Sequence, residues 1–192
     1  HPSNDSGLFQ VFERINTSGT TLNDQEIRNC VYQGTMNTLL FAVNKHDKWR
    51  VLYGGQEEDS RMMDLELILR FYALNSEDIY NSDKTKISLK QTLNKYMQDN
   101  MYASDAFITE KKSEFCSTID FVYTNFGEEA FFNLQNDLTK IRRRLYPTVF
   151  DSIMVASSIA LRRGYVYNGE NMKEKRMSLL KDASYRNSIF QG

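Results

Sequence analysis

The residues between Val11 and Gly34 carry the side chains best suited to binding an anion. They surround a tight loop at residues 16–20, which precedes the start of a helix near Asn23. Backbone amides at a helix start favour a phosphate, and nearby hydroxyl and guanidinium groups strengthen that preference. The candidate side chains are Arg14, Asn16, Thr17, Ser18, Thr20 and Arg28.

The same stretch also suits a purely structural role. Asn23, followed three residues later by Glu26, has the pattern of a capping box at a helix start. A helix start whose amides are already capped has fewer amides left for a ligand. Asn16 can end the preceding helix, and Gly19 can adopt the positive φ that a tight loop requires. The residues alone leave both interpretations open.

A second cluster of cations lies near position 142. It consists of Lys140, Arg142, Arg143 and Arg144, and Tyr146 follows. Clustered arginines beside an aromatic ring can hold a nucleic-acid backbone through charge and stacking. Such a run is also typical of a solvated helix face, or of a surface that pairs with acidic residues. The acidic candidates are Glu128, Glu129 and Asp137.

The first cluster belongs to a longer pattern that resembles a known bacterial family. The pattern Phe-x-x-(Ile/Leu)-Asn-x-x-Gly-x-x-Leu-x-x-Gln-Glu is met at Phe12, Ile15, Asn16, Gly19, Leu22, Gln25 and Glu26. It is similar to the second half of the domain of unknown function 262, the N-terminal domain type of the GmrS/GmrD restriction endonucleases. The similarity continues through Trp49-Arg50 and residues 64–71, and so covers the first half of the chain.

This resemblance implies that the chain is the C-terminal helical part of a larger protein. Family members usually begin with an α/β part that resembles the ParB and sulfiredoxin fold and contains an Asp-Gly-Gln-Gln-Arg motif. That motif, which is linked to a nucleoside triphosphate, does not occur in this sequence. We therefore expect no cofactor and no catalytic residue in the fragment, and a nucleoside triphosphate with Mg²⁺ in the parent protein. The missing N-terminal domain is then the first expected partner.

The function implied by the resemblance is nucleotide-dependent DNA processing, or sensing of DNA modification, in phage defence. It places the protein in the bacterial cytoplasm, with DNA as a partner and with self-association into a homo-oligomer as a further expectation. The implied nucleotide-binding residues are Arg14, Asn16, Thr17, Gly19, Thr20, Gln25 and Arg28. The alternative is a non-catalytic helical scaffold or protein-interaction module.

Composition and charge limit the partners and ligands that the protein is expected to bind. The formal net charge of −1 over 192 residues provides no global field that would attract DNA or anionic lipid, so any such contact must be local. No apolar run approaches the roughly 20 residues that cross a bilayer, and we expect no membrane partner. Cys30 and Cys116 are far apart and are expected to be buried, and His1 and His46 lack neighbours at ligand spacing, so no metal site is expected.

Apolar residues at helical spacing predict a mainly α fold, an irregular multi-helix bundle. The expected regions are 1–75, with the helix-loop-helix motif, and 87–192, a second helical subdomain, joined by a polar linker at 76–86. Asp59 or Ser60 is expected to cap a central helix that follows it. Residues 134–146 are expected to be helical or irregular, and Pro147 is expected to begin another helix.

Overall fold

The computed structural model describes residues 4–15, 21–81, 88–135, 137–165 and 171–190. In these ranges 70% of the residues are helical and 5% form strands, which confirms the mainly α prediction. The elements in chain order are α1 (Asn4–Ile15), α2 (Asp24–Val31), α3 (Thr35–Asn44), α4 (Asp47–Tyr53), α5 (Met63–Leu74), α6 (Glu77–Tyr80), α7 (Leu89–Asp99), α8 (Asp105–Phe126), β1 (Phe132–Leu134), β2 (Ile141–Leu145), α9 (Pro147–Arg162), α10 (Met172–Lys181) and α11 (Ala183–Phe190).

The chain forms two compact units. The first contains His1–Asn44 and Glu58–Ser113, and the second contains Lys45–Glu57 and Glu114–Gly192. These units differ from the predicted regions 1–75 and 87–192, because α5 and α7, on either side of the predicted linker, pack together within the first unit. Within the linker range, α6 occupies four residues, and residues 82–86 lie outside the description.

The first unit is built around α5. Its buried side chains point to most sides of the helix, as predicted: Leu65, Leu67, Ile68, Leu69, Phe71, Tyr72 and Ala73. Helices α2, α3 and α7 pack against it. Gly34, just before α3, lies so close to the backbone of Met101 that a Cβ there would come within 2.0 Å of the Met101 carbonyl oxygen.

The start of α5 differs from the sequence prediction. The helix begins at Met63, after Met62 in a left-handed conformation with φ of 56°, and neither Asp59 nor Ser60 caps it. The buried carboxylate of Asp64 organises this corner instead. It accepts hydrogen bonds from Asn44 Nδ2 and from the backbone N–H of Asp59, each at 2.9 Å. The prediction was wrong because a buried carboxylate inside the first turn holds the preceding loop, in place of a cap outside it.

The second unit has an aromatic core around Trp49. The Trp49 side chain is fully buried, and its ring centroid lies 5.5 to 5.9 Å from those of Tyr53, Phe115 and Phe150. These residues come from α4, α8 and α9. Leu52 is also buried, and Gly54 ends α4 in a left-handed conformation.

Residues 134–146, predicted to be helical or irregular, contribute to an antiparallel β-hairpin. Strands β1 and β2 pair Asn133 with Arg142 and Leu134 with Ile141, with an irregularity between Phe132 and Asn133. Leu134 is buried, whereas Arg142, Arg143 and Arg144 are all exposed. The helical option was wrong because pairing with β1 decides the conformation of β2, and three successive arginines leave no apolar alternation to reveal it.

The capping box at the start of α2 leads to a stability prediction. Asn23 Oδ1 accepts hydrogen bonds from the backbone N–H groups of Gln25 and Glu26 at 2.9 Å, and Glu26 accepts one from the Asn23 backbone at 2.6 Å. Asn23→Ala should therefore lower the free energy of unfolding by about 1 kcal/mol in urea denaturation. Asn23→Ser keeps a capping acceptor and, like alanine, lacks the Nδ2 donor that bonds to the Arg61 carbonyl at 2.7 Å, so it should lower the free energy of unfolding clearly less than alanine does. Equal losses in the two variants would contradict the capping role.

Candidate functional site

The exposed cations of strand β2 form the most accessible candidate site. Successive side chains of a strand point to opposite faces, so Arg142 and Arg144 lie on one face and Arg143 on the other. Lys140 is also exposed, at the start of the same strand. We refer to β1, β2, Lys140 and Tyr146 together as the arginine hairpin.

Tyr146 organises two of these arginines. Arg142 Nη1 donates a hydrogen bond to Tyr146 Oη at 3.0 Å, and the Arg144 guanidinium lies 4.9 Å from the centroid of the Tyr146 ring. The backbone N–H of Tyr146 donates to the Phe131 carbonyl at 3.0 Å, which fixes the end of the hairpin just before Pro147 begins α9. One aromatic side chain thus holds two cations on the same side of the strand.

The acidic residues proposed as partners of this cluster do not pair with it. Among the described residues, no ion pair involves Lys140, Arg142, Arg143 or Arg144. Asp137 accepts hydrogen bonds from the backbone N–H and hydroxyl of Thr139, which hold its pKa below the ordinary value. Within the described part of the chain, the cations of the hairpin therefore have no carboxylate partner that an external anion would need to displace.

The predicted nucleotide-binding residues fall into three groups. Asn16, Thr17, Gly19 and Thr20 lie outside the described residues, as does Ser18. Arg14 is exposed in the last turn of α1. Gln25 and Arg28 are buried on α2 and hydrogen-bond to each other, so of the three described residues the structure brings together these two.

Arg28 is the centre of a buried polar network in the first unit. Its side chain is 1% exposed and donates from Nε to Gln25 Oε1 at 2.8 Å, from Nη1 to Asn94 at 3.3 Å and from Nη2 to Glu66 at 2.7 Å. Burial lowers the pKa of Arg28, and the nearby Glu66 carboxylate opposes that shift. Three of its five N–H groups are engaged, and the side chain is almost fully buried, so Arg28 is not open to a phosphate from solvent.

The start of α2 has the structural role that the sequence offered as one of two interpretations. The backbone N–H groups of Gln25 and Glu26 both donate to Asn23, and Glu26 closes the box. These amides are therefore not free for an anion.

The partners of Arg28 on α5 and α7 were not predicted. The sequence contains no direct sign that Glu66 and Asn94 hydrogen-bond to this side chain.

The cysteine prediction needs correction. Cys30 is exposed because it lies off the buried face of α2, and Cys116, on α8, is partly exposed. His46 Nε2 lies 3.6 Å from an oxygen of Asp120. Within the described ranges, no group of three His, Cys, Asp or Glu side chains is arranged to hold a metal ion.

Two further observations bear on the class of protein. In the described part of the chain, no helix has the length and apolar character needed to cross a membrane. Comparison with protein-family models, curated proteins and solved structures found no match to this chain.

Proposed function

We propose that this chain binds the phosphate backbone of DNA through the arginine hairpin, as the helical part of a nucleotide-dependent DNA-processing or modification-sensing protein. The observation that carries the proposal is the set of exposed cations on β2, which pair with no carboxylate among the described residues while Tyr146 orders two of them. The resemblance of residues 12–26 to the domain of unknown function 262 supports the wider setting.

The chemistry of the hairpin matches a polyanion. A guanidinium offers several N–H donors in a planar fork that fits phosphate oxygens, and it also stacks on aromatic faces. Because Tyr146 already orders Arg142 and Arg144, less side-chain freedom is lost when they contact phosphates. The proposed contacts are to phosphate oxygens, which are the same at every base pair, so we expect binding that is independent of sequence.

A competing explanation is that the arginines protect the edge of a short hairpin from pairing with another chain. The two explanations differ in whether DNA binds and in how binding depends on salt. Nucleotide contact by Arg14 and the 16–20 loop stays a prediction from the family resemblance, and it is independent of the hairpin.

The double variant Arg142→Gln/Arg144→Gln tests the proposal. Two lost phosphate contacts, at about 1 kcal/mol each, should raise the Kd for double-stranded DNA about thirtyfold. The slope of log affinity against log salt should become shallower by about 2. Fluorescence anisotropy of a labelled duplex at several salt concentrations measures both quantities.

A matched control variant removes two positive charges outside the arginine hairpin, so its net charge changes by the same amount. Lys45 and Lys112 are exposed and pair with no carboxylate of the described chain, so Lys45→Gln/Lys112→Gln should leave affinity and salt slope nearly unchanged. If both double variants lose affinity equally, the binding is diffuse and the hairpin is not the site. If the unaltered protein binds no DNA, the proposal is wrong and the alternative function as a helical scaffold is favoured.

A further inference from the structure

A cavity of about 230 Å³ lies within the second unit, between α8, α9 and α10. Apolar side chains form most of its wall, and the described residues that line it include two cations and no acid. The lining residues are Phe121, Phe126, Ser152, Ile153, Ala156, Ser157, Ala160, Met172, Lys175, Arg176 and Leu179. A cavity with this composition favours an apolar ligand that carries a negative charge.

Arg176 supplies the buried charge. Its side chain donates from Nε to the Ala130 carbonyl at 2.8 Å, and from Nη2 to the carbonyls of Glu129 and Phe132 at 2.5 and 2.6 Å. The third nitrogen, Nη1, makes no hydrogen bond to a described residue, and no described carboxylate lies within ion-pair distance. With the residue only 7% exposed, the guanidinium is a largely buried cation, and the charge of the Glu129 carboxylate, which lies beyond ion-pair distance, only partly opposes the burial that lowers the pKa of Arg176.

Ser157 is a second polar residue that lines the cavity. It is 4% exposed, and its hydroxyl makes no hydrogen bond to a described residue. Other helical hydroxyls in this unit donate to carbonyls of the preceding turn, as Ser152 does to Val149 at 3.1 Å and Thr118 does to Glu114 at 2.7 Å. Ser157 lines the cavity, so a ligand bound there can replace the water that otherwise hydrogen-bonds its hydroxyl.

We infer that this cavity binds a small amphipathic carboxylic acid. The carboxylate accepts hydrogen bonds from Arg176 Nη1 and the Ser157 hydroxyl, and the apolar body lies against side chains such as Phe121, Ile153 and Leu179. An apolar cavity of about 150 Å³ holds benzene, so this larger one has room for a ring or a short acyl chain together with its carboxylate. The inference does not depend on DNA binding by the arginine hairpin.

Calorimetric titration with octanoate and phenylacetate tests the inference, with octanol and octylamine as uncharged and cationic analogues of octanoate. Saturable binding of at least one acid, with weaker binding of octanol and no binding of octylamine, is the expected result. Octanol binding as tightly as octanoate would overturn the role of Arg176. Failure of both acids to bind would overturn the site as a whole.

Two variants locate the binding. Ser157→Ala should weaken the acid about fivefold while leaving octanol unchanged, since one hydrogen bond is lost. Ala156→Phe, at an exposed position on the cavity wall, should abolish binding by filling the space. Arg176 itself is left intact because its bonds to three carbonyls also hold the chain. Unchanged acid affinity in Ala156→Phe would place the ligand elsewhere and overturn the inference.

Discussion

Replacing Trp49 with alanine is expected to lower the free energy of unfolding of the second unit by about 4 kcal/mol. The Trp49 ring is fully buried and lies close to three other aromatic rings, from Tyr53, Phe115 and Phe150. Its removal takes away the largest apolar surface of this core and leaves a cavity that the surrounding helices can fill only in part. The edge-on geometry with Phe115 adds a favourable aromatic contact that alanine cannot replace.

The measurement is urea denaturation followed by far-ultraviolet circular dichroism, because Trp49 is the only tryptophan and the variant loses its fluorescence signal. Hydrogen exchange at amides of α4 and α9 assigns the loss to the second unit. Tyr102→Ala, at a side chain that is 79% exposed, is the matched aromatic control and should change the free energy by less than about 0.5 kcal/mol. Comparable effects of the two substitutions would show that Trp49 does not organise this core.

Helix ends that depend on neighbouring residues were predictable from the sequence. The capping box at Asn23 and Glu26 and the proline at the start of α9 both act within a few residues, so a linear pattern contains them. The central position of α5 also followed from its composition, because apolar residues around the whole helix require burial on all sides.

Features that depend on distant partners were not predictable. The hairpin forms because β2 pairs with β1, and the Ile141–Leu145 sequence has no period-two pattern of its own. The start of α5 depends on Asp64, which bonds to Asn44 twenty residues earlier. In both cases tertiary contacts override a weak local preference.

In the candidate sites, too, the residue types were predictable from the sequence, whereas the contacts with distant residues were not. The arginine run and Tyr146 were visible as residue types, but only the strand conformation places Arg142 and Arg144 on one face with the tyrosine. Arg28 was visible as a cation at a plausible spacing, yet its burial and its partners on α5 and α7 were not. The cavity beside Arg176 was not visible in the sequence, because its wall is assembled from side chains of three separate helices whose packing the sequence does not show.

The burial of Arg28 leads to the second large expected effect. Glu66→Ala should lower the free energy of unfolding of the first unit by about 3 kcal/mol, because a buried cation that loses its counter-ion keeps its charge and its desolvation penalty. Arg28 cannot escape that penalty by losing its proton at neutral pH. The Glu66 side chain is 19% exposed, so water can partly replace it, which places the expected effect at the lower end of the range for broken buried pairs.

Three comparisons separate loss of charge from loss of packing. Glu66→Gln keeps an acceptor for Arg28 and should cost less than Glu66→Ala. Glu110→Ala removes a carboxylate that is 73% exposed, at 3.8 Å from its lysine partner, and should cost less than about 1 kcal/mol. The double variant Arg28→Met/Glu66→Ala has no buried cation. Its loss of unfolding free energy should therefore be smaller than the sum of the losses in Arg28→Met and in Glu66→Ala. Hydrogen exchange at amides of α2 and α5 reports the change, and additive single effects would mean that Arg28 and Glu66 are not energetically coupled.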